Sequence, residues 1–230
     1  MGALRAVCFD LDGTLFDHAG SARAGATRFF ESLGLTASGP ALNAWFAAEE
    51  EQFERWRSGH LSFKEQRRER LRTVLPPLGY HPPADEVGLD SLFDSYLSSY
   101  RASWRAFPEG LSLLRELRGR GYRLGLLTNG TEEQQLDKLA RTGLDGAFDA
   151  VCTSERIGFQ KPDSRAFLTV ARELEVDAAH CLFVGDNPAH DIVGARSVGM
   201  YGLLVNHYAE QAVDIRTAVL ACIMASGDAR

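Results

Sequence analysis

The chain has 230 residues, of which 45% are apolar and 24% are charged, a balance typical of an ordinary globular protein. A net charge of −6 and a pI near 5.5 argue against a nucleic-acid-binding surface. No apolar run approaches the ~18 residues that a membrane-spanning helix needs, so we expect no membrane partner.

The N terminus and the cysteines bear on the setting in which the protein works. The first predicted strand begins within a few residues of Met1, so no targeting signal is visible. The four cysteines lack C-x-x-C spacing, and Cys8, Cys152 and Cys181 lie in apolar runs, where buried reduced thiols are expected. We therefore expect a reducing, cytoplasmic setting.

A buried strand over residues 6–9 is followed directly by two carboxylates. The run is continuously apolar, as in the central strand of a parallel sheet. Side chains two apart in extended chain point the same way, so Asp10 and Asp12 share one side of the strand end, and Gly13 then permits a sharp turn. Carboxylates this close need a cation or a shared proton.

Residues from about 18 to 104 show only helical patterns. Four helices are predicted, at residues 22–33, 41–56, from Ser62 to about 75, and 91–104. Ser62 and Glu65 have the spacing of a capping box. We predict that residues 17–104 form an inserted all-helical domain and that residues 1–16 and 105–230 form the core.

From residue 108 onward, helices and strands alternate. Strands are predicted at residues 122–127, 150–153, 180–184 and 201–205, and a final helix within 208–224. Thr131 is predicted to cap the helix after the second strand, with Gln134 completing a capping box. This alternation predicts an α/β fold, a doubly wound parallel sheet with helices on both faces.

Polar residues recur where these strands end, and ligands of open parallel sheets bind at that edge. The residues are Asp10, Asp12, Thr128, Asn129, Gly130, Lys161, Asp186 and Asp191. Each has a local alternative as a helix cap, a loop lysine, a turn residue or a partner of a helix dipole. Their common position instead favours a site for phosphoryl transfer.

In that chemistry Asp10 attacks phosphorus and forms an aspartyl-phosphate. Two like charges ~4 Å apart repel by about 4 kcal/mol at an effective dielectric near 20, so positive charge must offset the repulsion. Mg²⁺ held by Asp10 and Asp186 supplies part of it, because hard oxygen ligands suit this ion. Lys161 supplies a second positive charge.

The remaining roles fall to groups around the transferred phosphate. The Thr128 hydroxyl and the backbone N–H groups near Asn129 and Gly130 can bind phosphate oxygens at the start of a helix. Asp12 is expected to protonate the leaving oxygen and then to take a proton from the attacking water. That task needs a carboxyl whose pKa is raised.

These motifs resemble those of the haloacid dehalogenase (HAD) superfamily. They are Asp10-x-Asp12-Gly13-Thr14-Leu15-x-Asp17, Thr128-Asn129-Gly130, Lys161-Pro162 and Gly185-Asp186-x4-Asp191. The resemblance covers the whole chain, since the insertion looks like that family's small helical cap. It implies a Rossmann-like core and an Mg²⁺-dependent phosphatase acting on a small phosphate ester.

The resemblance also implies roles by position. Asp10 is then the nucleophile, Asp12 the general acid/base, Thr128 the phosphate binder and Lys161 the stabilising charge. The metal would be held by Asp10, Asp186 and the Asp12 backbone carbonyl. Asp191 would act on the metal's water shell or orient Lys161.

Several alternatives stay open. Haloacid dehalogenases lack the second aspartate, so Asp12 favours phosphate chemistry, but phosphomutases of the β-phosphoglucomutase type keep it. Receiver domains of signalling pathways also use an aspartate, Mg²⁺, Thr and Lys, but they lack a helical insertion. An inactive binding protein on the same fold is a further alternative. The oligomeric state is left as monomer or homodimer.

The insertion carries the candidate substrate contacts. Residues 57–70 resemble the cap of HAD nucleotidases and of N-acylneuraminate-9-phosphatase. Arg67, Arg68 and Arg70 either form a solvated face paired with Glu65 and Glu69 or hold an anionic substrate. His18 is either a linker residue or a substrate contact, and the aromatic residues near Trp45 are expected to pack. The cap is expected to hinge and exclude water.

Overall fold

The computed structural model describes residues 3–210 and 212–225. The chain divides into two compact units. The first joins the N-terminal segment through His18 to the chain from Arg105 onward, and the second is Ala19–Trp104. The assignment of these units as a catalytic core and a cap stays a prediction.

The first unit is built on a five-stranded parallel sheet in the order β3-β2-β1-β4-β5. The strands are β1 (Ala6–Phe9), β2 (Arg123–Thr128), β3 (Ala150–Thr153), β4 (Cys181–Gly185) and β5 (Tyr201–Leu204). The predicted α/β fold class is confirmed. β1 is central and fully buried, and its last residue Phe9 pairs with Leu126 and Val184. The residues that follow β1, β2 and β4 therefore meet at one edge.

The α-helices of the described residues alternate with these strands or fill the second unit. They are α1 (His18–Ser32), α2 (Gly39–Arg57), α3 (Phe63–Val74), α4 (Glu86–Arg101), α5 (Pro108–Gly119), α6 (Glu132–Thr142), α7 (Ser154–Ile157), α8 (Ser164–Glu173), α9 (Gly194–Ser197) and α10 (Ile215–Ala225). A π-helical turn, Pro188–Val193, precedes α9. Within the described part of the chain, no helix is long and apolar enough to cross a membrane.

The core of the first unit lies between the sheet and α8. Apolar residues of α8 recur at helical spacing and are buried against β2 and β3. Phe167 of α8 meets Phe183 of β4 edge-on, with ring centroids 5.0 Å apart. Burying one such side chain fully contributes about 1.5–3 kcal/mol relative to leaving it exposed. Cys8, Cys152 and Cys181 are buried and unbridged, as expected.

An aromatic cluster forms the core of the helical unit. Trp45 is fully buried, its ring centroid 4.9 Å from that of Tyr96 and 5.5 Å from that of Phe29. Helices α1 and α4 approach closely, since a methyl group built on Gly25 would lie 2.5 Å from Tyr100 Cα. Packing is therefore the role of Trp45, as expected.

Two arginines of α3 differ from the predicted solvated face. Arg68 binds the Asp90 carboxylate with 2.7 and 2.8 Å hydrogen bonds. Arg70 is buried, pairs with Glu49 at 2.9 Å and lies 3.9 Å from the Trp45 ring centroid. The predicted pairing of these arginines with Glu65 and Glu69 is wrong, because both side chains turn toward partners on other helices.

The two predicted capping boxes have different outcomes. At the start of α3, Ser62 and Glu65 exchange both hydrogen bonds, which confirms the first box. At the start of α6, the Thr131 side chain makes no capping hydrogen bond. The second box is therefore wrong. Instead, the Glu132 N–H at this terminus donates to the Glu155 carboxylate at 2.8 Å.

The chain leaves and re-enters the first unit along two paired segments. Phe16 and Ala106 form an antiparallel bridge, and the Asp17 N–H donates to the Arg105 carbonyl at 3.0 Å. The Asp17 carboxylate also accepts from the Arg105 side chain at 2.6 and 2.7 Å and from the Tyr208 hydroxyl. Both ends of the insertion are thus fixed at one place.

Candidate active site

Asp10 and Lys161 form a buried ion pair at the carboxyl edge of the sheet. Asp10 directly follows β1. Lys161 lies in the loop before α8 and is joined to Pro162 by a cis peptide bond. The Lys161 ammonium group donates to Asp10 Oδ1 and, at 2.7 Å, to Asp191 Oδ1. Lys161 therefore joins an aspartate that follows β1 to an aspartate that follows β4.

The charges of this cluster act on one another. Burial raises the pKa of Asp10 to about 7, with Lys161 opposing the rise and Asp191 adding to it. Burial alone would lower the pKa of Lys161, but Asp10 and Asp191 outweigh that effect and hold it above its usual value. Lys161 thus stays an ammonium group beside a carboxylate that is withdrawn from water.

Three carboxylates converge closely enough to share one cation. Single oxygens of Asp10, Asp186 and Asp191 lie within 4.8 Å of one another. An all-oxygen donor set of this kind fits a hard divalent ion such as Mg²⁺. Gly13 leaves room for the Asp186 carboxylate, because a methyl group there would lie 2.2 Å from Asp186 Oδ2.

The three carboxylates are not equally available. Asp191 Oδ1 accepts from Lys161, and Asp191 Oδ2 accepts from the Asn187 N–H at 3.0 Å. Both of its oxygens are therefore engaged, one of them by Lys161. Asp10 Oδ1 also accepts from Lys161, but among the described residues Asp10 Oδ2 accepts only a longer hydrogen bond, 3.4 Å, from Thr14 Oγ1. Asp10 Oδ2 and Asp186 are therefore the better candidate ligands.

Asp12 is surrounded by hydrogen-bond donors. Lys138 Nζ lies 2.6 and 2.8 Å from its two oxygens, Gln135 Nε2 lies 3.0 Å from Oδ2, and His18 Nδ1 lies 3.8 Å from Oδ1. Burial would raise the pKa of Asp12, but Lys138, His18 and Gln135 together lower it below its usual value. The expected raised pKa of Asp12 is therefore wrong for this structure, because an ammonium group touches the carboxylate.

The predicted phosphate-binding residues lie at the end of β2. Thr128 is buried, and its Oγ1 accepts from Gln135 Nε2 at 2.7 Å. The Asn129 side chain brackets Lys161, accepting from its N–H at 2.8 Å and donating to its carbonyl at 3.1 Å. The Gly130 N–H donates to Ser154 Oγ at 2.9 Å, so it reaches a phosphate only by exchanging that acceptor.

A family comparison agrees with this geometry. The model of the haloacid dehalogenase-like hydrolases matches residues 4–199, most of the chain. The chain belongs to the haloacid dehalogenase-like hydrolase family. The predicted membership, and with it the predicted hydrolase class, is confirmed.

Two relatives of this HAD hydrolase carry the names of phosphatases. It is 34% identical over 210 residues to glyceraldehyde 3-phosphate phosphatase of Methanothermobacter thermautotrophicus, covering 88% of this chain and 86% of that one. It is 31% identical over 202 residues to ribulose-1,5-bisphosphate 5-phosphatase of Halopiger xanaduensis, covering 86% and 83%.

A solved structure shares the fold. The HAD hydrolase YfnB of Bacillus subtilis, crystallised with magnesium, superposes with a TM-score of 0.74 at 21% identity. The match covers 97% of this chain and 99% of that one. At this identity the likeness concerns the fold alone.

Two residues that contact Asp12, Gln135 and Lys138, were not predicted from the sequence. Both are buried, as is Leu139, so the three share the inward stripe of α6. Polar side chains at core-facing positions of an amphipathic helix are the signal that could have found them.

Proposed function

We propose that this HAD hydrolase is a phosphatase that hydrolyses small phosphomonoesters, with Asp10 as its nucleophile. The observation that carries the proposal is the Asp10–Lys161–Asp191 ion cluster, with Asp186 beside it, at the carboxyl edge of the sheet. The names of the two relatives, both phosphatases acting on small phosphates, support the same reaction.

In the first step an Asp10 oxygen attacks phosphorus, and the bond from phosphorus to the leaving oxygen breaks. Lys161 offsets the repulsion between the carboxylate and the phosphate, and the Thr128 hydroxyl donates to a phosphate oxygen. The leaving oxygen takes a proton from Asp12. An arriving phosphate dianion raises the pKa of the nearby Asp12, which favours the protonated form that this step needs.

In the second step a water molecule attacks the aspartyl-phosphate. Asp12, now a carboxylate, takes the proton of that water, and the bond between phosphorus and Asp10 breaks. Inorganic phosphate leaves, and the net reaction consumes one ester and one water and yields one alcohol and one phosphate. Hydrogen bonds from Lys138 and Gln135 keep Asp12 in the carboxylate form that this step needs.

Mg²⁺ is the cofactor that suits the oxygen donors, and Asp10, Asp186 and the predicted Asp12 carbonyl would hold it. When bound, it supplies positive charge that offsets the charge of the phosphate. The helical unit is proposed to serve as the cap that excludes water from the transfer.

The proposal is tested by turnover of p-nitrophenyl phosphate with Mg²⁺ and with chelator, followed by a panel of sugar phosphates, nucleotides and small organic phosphates. Release of inorganic phosphate distinguishes hydrolysis from a mutase reaction, which returns an isomeric ester. We expect Asp10→Asn to lower turnover by more than about 10⁴-fold, as loss of a covalent nucleophile does. Substantial Mg²⁺-dependent turnover by a folded Asp10→Asn protein would contradict the assignment.

A further inference from the structure

We propose that Gln135 and Lys138 are positioning residues that hold the Asp12 side chain in the geometry its proton transfers require. The two residues lie one turn apart on the buried face of α6. They touch Asp12 rather than the reacting phosphate. The inference rests on the proposed phosphatase mechanism and adds to that site two residues that act through Asp12.

The Lys138 contacts are the first support. Its ammonium group donates to both Asp12 oxygens, at 2.6 and 2.8 Å, and its side chain is 3% exposed. Among the described residues, Asp12 is the only acceptor of this ammonium group. The Phe16 ring covers it, with the centroid 5.0 Å from Nζ. Two simultaneous hydrogen bonds fix both the position and the rotation of the carboxylate.

The Gln135 contacts extend this hold to the end of β2. Its Nε2 atom lies 3.0 Å from Asp12 Oδ2, 2.7 Å from Thr128 Oγ1 and 3.0 Å from the Asn129 carbonyl. Because Thr128 Oγ1 accepts from Gln135, its own proton is available for a phosphate oxygen. The Gln135 amide group therefore fixes the position of the Asp12 carboxylate relative to the Thr128 hydroxyl, the predicted phosphate binder.

Stability alone does not account for these two residues. The Lys138 ammonium group is buried, so its pairing with the partly exposed Asp12 carboxylate contributes little net stability, because the ammonium group loses its hydration. Gln135 is buried, and within the described chain its Oε1 atom has no hydrogen-bond partner, which is also unfavourable. Two unfavourable burials that converge on one carboxylate indicate a functional arrangement.

The test separates the two chemical steps by choice of leaving group. p-Nitrophenolate departs without a proton, so phosphorylation of Asp10 by p-nitrophenyl phosphate does not need Asp12, whereas an alkoxide leaving group does. Hydrolysis of the aspartyl-phosphate needs Asp12 with either substrate. We expect Lys138→Met and Gln135→Leu to lower kcat for an alkyl phosphate by about 10- to 100-fold, the effect of a misplaced catalytic group.

With p-nitrophenyl phosphate, Lys138→Met should release one equivalent of p-nitrophenolate at the wild-type rate and then turn over slowly. Mass spectrometry should find the phosphoryl group accumulated on the Asp10 peptide. Lys138→Arg should restore part of the alkyl phosphate turnover. In an Asp12→Asn background, Lys138→Met should have no further effect, since a residue that acts only through Asp12 has nothing left to position.

Matched controls come from the exposed face of the same helix. Arg141→Met removes a cation that pairs with Asp137, and Gln134→Leu removes an exposed amide. Both should keep wild-type kinetics. A Lys138→Met protein with unchanged alkyl phosphate turnover, or with its burst slowed as much as its steady state, would overturn the inference. Absence of turnover in the wild-type protein would instead reject the proposed function.

Discussion

Asp10 and Asp12 occupy the same strand end, yet their surroundings shift their pKa values in opposite directions. Burial raises the pKa of Asp10 to about 7, although Lys161 contacts it. The pKa of Asp12 is lowered because Lys138, His18 and Gln135 outweigh the effect of burial. In sites that divide nucleophilic and proton-transfer roles, the proton donor ordinarily has the raised pKa. The proposed roles therefore need the arriving phosphate dianion to raise the pKa of Asp12.

At this scale we predict the consequence of Asp12→Asn. The variant loses the proton donor for the leaving oxygen, so kcat for an alkyl phosphate should fall by about 10²- to 10⁴-fold. Release of p-nitrophenolate in the first turnover should change far less, because that leaving group needs no proton. Stopped-flow measurement of the burst and steady-state measurement of phosphate release give the two rates. A p-nitrophenolate burst slowed as much as the kcat for the alkyl phosphate would contradict the acid role of Asp12.

At the scale of elements, the position of two helices depends on a glycine. The methyl group of an alanine at Gly25 of α1 would lie 2.5 Å from Tyr100 Cα and 2.9 Å from Tyr100 N in α4. Backbone atoms cannot yield as a flexible side chain can. We therefore predict that Gly25→Ala lowers the free energy of unfolding by about 1–3 kcal/mol, the usual effect of overpacking.

Urea denaturation followed by circular dichroism measures this effect. Gly119→Ala is the matched control, since it is exposed near the end of α5 and has no atom within 4 Å of the added methyl group. It should leave stability unchanged or raise it slightly, because alanine favours the helix. An unchanged midpoint for Gly25→Ala would mean that α1 and α4 are not in close contact.

Elements with strong local patterns were predictable from sequence, and side-chain pairings distant in sequence were not. The apolar run 6–9 and the Ser62–Glu65 box are local, so their strand and cap could be predicted. The Lys138–Asp12 pair joins residues 126 positions apart, and no local pattern identifies a partner at that distance. The pKa of Asp12 was predicted in the wrong direction because Lys138 had not been identified as its partner.

At the scale of the whole molecule, cation binding should appear as added stability. A ligand that binds only the folded state, present at about 100 times its Kd, stabilises that state by about 2.7 kcal/mol. We predict that Mg²⁺ raises the melting temperature of the wild-type protein by several degrees and leaves that of Asp186→Asn unchanged. Differential scanning calorimetry measures both values without relying on turnover.

The control for this prediction is Asp145→Asn, which removes an exposed carboxylate of the α6–β3 loop. It should show the same Mg²⁺-dependent rise as the wild-type protein. If Mg²⁺ still raised the melting temperature of Asp186→Asn, the cation would bind at another site, and the ligand assignment would be contradicted.

The paired segments at Phe16–Asp17 and Arg105–Ala106 also bear on how freely the insertion can vary. Because the outgoing and returning backbones are joined by a hydrogen bond, a tight turn of a few residues would be long enough to connect them. Excision or transplantation of the whole helical segment would then leave the order of the strands unaltered. The parallel sheet can thus host inserts of different length and shape while the aspartates at its edge stay in register.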